Sequence, residues 1–187
     1  MKTPCCRGER DGFNWWKFAV CEDINNCISS CYSKLRLLYQ HRHEFDRKTK
    51  IMLCNTLILS RLDFCDIVYG PHLRFIEKQR IQKLQNSCLR LIFGIRKYEH
   101  ISHFLKLANW INMQDRRFYH SVLFFNTLIK NKSPTYLYSK ISFRTDVHTL
   151  NLRFRGLLTP PLHSLQLFKR SFSYTVTKYL NNLPTAL

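Results

Sequence analysis

From Arg47 to Tyr69 apolar side chains lie nearly all round a helix. Ile51, Met52, Leu53, Leu57, Ile58, Leu59, Leu62, Phe64, Ile67 and Val68 leave almost no polar face. A helix that is apolar on every side predicts a buried helix, because it has no stripe to turn toward water. This segment is therefore expected at the centre of the core. Asp46 is placed to cap its start, and Gly70-Pro71 to end it.

The flanking segments supply helices to cover it. Ile24, Ile28, Cys31, Leu35 and Leu38 recur at spacings of three and four, which predicts an amphipathic helix over 23–40 with Asp23 as its cap. Over 73–93, Glu77, Ile81, Leu84, Cys88, Leu91 and Ile92 fall on one stripe. Gln79, Lys83, Asn86 and Arg90 fall on the opposite one, and Gly94 marks the stop. A short helix is expected over 100–108. Asn112 offers a cap, with Asp115 as capping-box partner, for a helix running to Lys130. Its buried face should be Phe118, Val122, Phe125 and Ile129.

Ser133-Pro134 breaks the pattern. Leu150, Leu152 and Phe154 alternate with Asn151, Arg153 and Arg155, a period-two strand signal. Phe168, Phe172, Val176 and Tyr179 suggest a last helix to about Asn182. The expectation is a mainly α fold. Residues 1–22 form a disordered or degenerate start, 23–142 a helical domain, and 143–187 a C-terminal extension with a short strand and a helix. A chain of 187 residues that is 45% hydrophobic can bury a core of this kind.

The net charge of +18 is unevenly placed. Residues 1–66 carry 11 Lys and Arg against 8 Asp and Glu, or +3; residues 67–187 carry 19 against 4, or +15. So basic a surface repels itself unless a polyanion is near, and nucleic acid fits best, since phosphate neutralisation gives affinity without sequence readout. A solvated basic surface kept for solubility is the plain alternative. Lys83 and Arg90 share the polar face of their helix, with Arg80, Arg96 and Lys97 flanking. Arg116 and Arg117 sit in a first helical turn, where they oppose the helix dipole; a bound phosphate, or pairing with Asp115 or Glu99, would offset that. Arg153, Arg155, Lys169 and Arg170 form a third group. Tyr98, Tyr119 and Phe168 stand beside these cations and are candidates for base stacking, although aromatics at helical spacing more often serve the core.

Catalytic signatures are missing. Two-metal polymerase chemistry needs close carboxylates. The adjacent acidic pair Glu22-Asp23 has no hairpin around it, and Asp63 and Asp66 share a helix side without a third carboxylate nearby. As the polar ends of a helix they would pair with Arg61 or Arg74. No phosphate-cradling glycine loop and no nucleophile elbow occurs. Cys27, Cys31, His41 and His43 offer four zinc ligands, but the two cysteines stand one turn apart on a buried stripe and read more simply as core. No metal or other cofactor and no small-molecule substrate is expected. The opening MKTPCCRGER has no apolar signal-peptide region, and the uncharged stretch near the core, 51–60, is far short of the roughly 20 residues a membrane span needs. With eight cysteines read as reduced thiols, the expected setting is intracellular, nuclear or cytoplasmic, with no membrane partner.

Five stretches, taken in order, resemble the region that follows the catalytic domain in jockey-like non-LTR retrotransposon reverse transcriptases. They are LILSRLDFCDIVYGP (57–71), RIQKLQNSCLRLIFGIRKYEHIS (80–102), LANWINMQDRR (107–117), SPTYLYSKI (133–141) and RSFSYTVTKYLNNLP (170–184). The likeness spans roughly Asp23 to the end; the first twenty or so residues depart from it. It implies a helical thumb-like module that grips RNA or an RNA–DNA hybrid by its backbone and packs on a palm domain. The family's polymerase residues and its Mg2+ belong to that upstream palm and have no counterpart here. The chain accordingly resembles a truncated copy, or a reading frame opened at an internal Met, and is expected not to be an enzyme by itself.

Overall fold

The computed structural model describes residues 15–144 and 157–181, with side chains from Ile24 onward except at residues 167 and 170. Residues 1–14 and the expected strand around 150–155 lie outside the described residues. The fold is mainly helical, and no strand occurs among the described residues.

Helix α1, Trp15–Gln40, begins eight residues before Asp23. Asp23 is therefore inside the helix and is not its cap. The predicted stripe holds: Ile24, Ile28, Cys31 and Leu35 are buried, with Leu38 packed beside them. Helix α2 starts at Arg47, where the Asp46 carboxylate accepts a hydrogen bond from the Thr49 N–H at 2.9 Å. It runs as Arg47–Cys54, passes through a π turn over Asn55–Leu59 and closes as Ser60–Asp63. A π turn adds one residue to a helical turn and so rotates the side chains that follow. Here it brings the consecutive Ile58 and Leu59 both into the core.

The long helix expected to reach Tyr69 is broken. Phe64 is extended and Cys65 is left-handed with φ 55°. The chain then re-enters a helix as α3, Asp66–Tyr69, which tightens into a 3-10 turn over Gly70–His72. Gly70-Pro71 thus sits inside this helical corner and does not terminate a helix. Nor is 47–69 buried all round: Met52, Leu57, Phe64 and Val68 face outward, and Cys54, Ile58, Leu59 and Leu62 face inward.

Helix α4, Phe75–Phe93, follows the predicted pattern. Glu77, Ile81, Leu84, Cys88, Leu91 and Ile92 are buried, and Gln79 and Lys83 are exposed opposite them. The Glu77 carboxylate accepts from the Arg74 N–H at 2.7 Å, which closes the first turn. Gly94 ends the helix at φ 67°. After the short α5, Ser102–Leu107, helix α6 spans Met113–Asn131. Its expected capping box does not form: the Asn112 amide donates to the Asp115 carboxylate at 3.2 Å, and neither side chain caps the backbone. The buried face is Met113, Ser121, Phe125 and Leu128; of the predicted stripe Phe125 is buried, and Phe118, Val122 and Ile129 are half-buried beside it.

A one-turn helix α7, Thr135–Tyr138, follows the Ser133-Pro134 break. Phe143 and Leu158 then form an isolated antiparallel bridge, with the Arg144 N–H donating to the Leu157 carbonyl and the Thr159 N–H to the Ser142 carbonyl. A 3-10 turn over Gln166–Arg170 leads to α8, Phe172–Asn181. Two clusters of buried side chains result. The larger joins α1, α2, α4 and the approach to α6. The smaller joins Phe125 of α6 to Leu158 and to Val176 of α8, with Ile129, Ile141, Phe143 and Phe172 around them.

Candidate nucleic-acid interface

The exposed face of α4 places three of the predicted cations together. Arg80 and Lys83 are exposed, and the Arg80 guanidinium donates to the Asn25 side chain of α1 at 2.7 Å. Arg90 is half-buried; one of its terminal nitrogens donates to the Lys97 carbonyl at 3.1 Å, bracing the loop after Gly94. Arg96 and Lys97 stand exposed in that loop. The Lys97 ammonium lies 5.8 Å from the centre of the Tyr98 ring, and Tyr98 itself is 90% exposed. The single carboxylate of α4, Glu77, is buried in the first turn, so it does not offset these charges on the outer face. Nucleic-acid backbones are held by this combination of fixed and mobile cations with side-chain amides. Gln79 and Asn86 supply such amides on the same helix.

Arg116 and Arg117 are placed differently. Arg116 forks onto Asp63, with hydrogen bonds of 2.7 and 2.6 Å to the two carboxylate oxygens. One turn later on α6, His120 Nδ1 meets the Asp66 carboxylate at 2.9 Å. The partners of Asp63 and Asp66 are thus on α6, and neither Arg61 nor Arg74 is involved. Likewise Arg116 is paired with neither Asp115 nor Glu99. Asp66 is only 3% exposed, and burial pushes its carboxyl above the ordinary carboxylate range, against the opposing hydrogen bond from His120. The hydrogen bonds it donates to Asp63 hold the Arg116 guanidinium protonated more firmly than usual. Ligand atoms of Asp63, Asp66 and His120 lie within 4.8 Å of one another, a spacing that a metal ion accepts. Both Asp63 oxygens, however, are already taken by the guanidinium, which fills the cation's place with a fixed charge. The cluster works as a clasp between α6 and the α2–α3 corner.

Arg117 turns the other way. Its stem lies across Gly70, where a Cβ would collide with the Arg117 side chain. Its guanidinium sits 5.8 Å over the Tyr69 ring. The Nε and Nη2 atoms are buried without a hydrogen-bond partner.

Lys169 is exposed beside the 3-10 turn before α8. Arg153 and Arg155 lie outside the described residues, as does the Arg170 side chain. Of the stacking candidates, Tyr98 and Tyr119 are exposed, and Phe168 is partly covered by the parallel ring of His163. The four candidate zinc ligands do not come together. The Cys27 and Cys31 thiols lie along backbone carbonyls of the α2 segment, His41 pairs with Glu44, and His43 accepts from Arg42. Burial pushes the Cys31 thiol up to about 11, which keeps it protonated.

One group escaped the sequence pattern entirely. Gln85 is fully buried; its amide donates to the Ile111 carbonyl at 2.8 Å and accepts from Gln82, whose oxygen in turn accepts from the Met113 N–H at 3.1 Å. This amide chain ties α4 to the start of α6. Its only trace in the sequence was a polar residue beside the apolar stripe.

No protein-family model, no curated protein and no solved structure matches the chain. No described helix is long and apolar enough to cross a membrane.

Proposed function

We propose that this chain is a sequence-independent nucleic-acid-holding module, akin to the helical region after the palm of jockey-like reverse transcriptases, and that it polymerises nothing itself. One observation carries the reading: the outer face of α4 presents Arg80 and Lys83, with Arg90 half-buried beside them, while the helix's one carboxylate is turned inward. RNA or an RNA–DNA hybrid is the intended ligand, held by phosphate contacts without base readout. The test is a fluorescence-anisotropy titration with an RNA–DNA hybrid over several salt concentrations. Wild-type affinity should fall steeply with salt. The double variant Lys83→Glu, Arg90→Glu should bind more weakly, and its log–log salt slope should be shallower by about 2, one for each lost phosphate contact. An unchanged slope would remove α4 from the interface.

A second reading is favoured by a different surface. Phe64 and Val68 are 76% and 67% exposed, and they rim a cavity of about 530 Å³ lined by Ile24, Ile28, Leu62 and Ile81. Apolar patches of this kind mark packing surfaces. A module that docks on a palm domain would present one, and this role is compatible with holding nucleic acid on α4.

A further inference from the structure

Arg117 is a charge fixed in place with unmet hydrogen-bonding capacity. Gly70 lets its stem lie flat, Tyr69 supports the guanidinium from one side, and Nε and Nη2 point into protein without an acceptor. Arg117 is half-buried as a residue, but buried donors left unmet are costly, and native structures rarely leave them so unless a ligand or water completes them. Arg117 also lines a cavity of about 70 Å³ at the meeting of α3, α4, α6 and α8, together with Lys78, Gln114, Ser121 and Thr175 among others. Its one carboxylate is Asp66, which is already engaged by His120. Two cations, an amide and three hydroxyls line this small volume, the Ser121 and Thr175 hydroxyls already donating to the Arg117 and Lys169 carbonyls, and the two cations suit one tetrahedral oxyanion.

The same Lys78, Gln114 and Arg117 also wall a second, wider cleft of about 580 Å³ between α4, α5 and α6. Gln79, Gln82, Asn86 and Asn112 bring further amides to it, with Asp115 its one carboxylate, and the 74%-exposed Phe75 stands at its wall. Amides that read base edges and an open ring for stacking are what a nucleoside needs. We infer that Arg117 anchors a nucleotide phosphate in the small cavity, with the attached nucleoside lying in the adjoining amide-lined cleft. The phosphate end of this site shares no residue with the cations Arg80, Lys83 and Arg90 of α4, although the cleft takes Gln79 and Asn86 from the same helix.

The test uses the whole chain. Calorimetric titration with inorganic phosphate is run against chloride at matched ionic strength, then with a nucleoside monophosphate, and then with a 5′-phosphorylated oligonucleotide against its 5′-hydroxyl counterpart. Phosphate should bind, and the nucleoside monophosphate should bind more tightly than phosphate alone. Tighter binding of the phosphorylated oligonucleotide would identify a strand end as the source; equal binding of the two oligonucleotides would identify the free nucleotide. Arg117→Gln should weaken phosphate binding at least about tenfold, the loss of a charge-assisted pair of hydrogen bonds. Gly70→Ala should do the same by displacing the Arg117 stem while keeping its charge, which guards against a folding defect in the first variant. Lys83→Glu, Arg90→Glu should leave phosphate binding unchanged, so this site and the α4 face fail separately. Wild-type protein that binds phosphate no better than chloride overturns the inference, as does binding that survives in a folded Arg117→Gln protein.

Discussion

Asp66 is a carboxylate held away from water with one half-buried histidine for company. Because burial raises its folded-state pKa, ionising it costs stability. Its favourable contribution is complete below the ordinary carboxylate value and is lost as pH climbs through the raised one. Asp66→Asn keeps an acceptor for His120 and removes the charge. Thermal unfolding of that variant should match or exceed wild type at pH 7, and the gap should close below about pH 4. A variant clearly less stable than wild type at pH 7 would mean that attraction to His120 outweighs desolvation. Nothing in the local sequence announces this residue's setting. Asp63 and Asp66 read as exposed helix ends because their partners stand 53 and 54 residues away on α6. Gln85 hid for the same reason: a polar side chain can be buried only if distant groups satisfy it, and those groups are not its sequence neighbours.

At the scale of elements, periodicity carries far. The stripe of α4 was legible because its inward side recurs at helical spacing from Glu77 to Ile92 and Gly94 marks the stop. Gly94 adopts φ 67° with nothing within 4 Å of the position a Cβ would take. Gly94→Ala should therefore cost only the left-handed backbone term, about 1 kcal/mol, measured by urea unfolding. A loss of several kcal/mol would show that packing, not conformation, selects the glycine. The α6 stripe was read correctly at Phe125 and missed Met113, Ser121 and Leu128, because its face is shared between two clusters, Met113 meeting the larger and Phe125 the smaller. The break at Phe64-Cys65 was not legible at all. No glycine or proline stands there, and Cys65 takes a left-handed conformation that its residue type does not favour.

Across the described residues, the chain carries its excess of basic residues after residue 66, and Phe64 and Val68 on either side of that point open an apolar surface at the α2–α3 corner. Changing Phe64 and Val68 to Ser should raise solubility and suppress concentration-dependent association in sedimentation runs while leaving the unfolding temperature nearly unchanged, since both side chains are mostly exposed. A large drop in unfolding temperature would place them in the core instead. The helical class and the uneven charge were plain from composition and pattern; which cations remain outward was not, because that depends on how α6 docks. The α2–α3 corner shows the same dependence. Residues 47–69 contain nothing that stops a helix, and the groups that clasp the corner, Arg116 and His120, come from far downstream. A piece of the chain cut before residue 113 would therefore carry Asp63 and Asp66 without either side chain that holds the elbow.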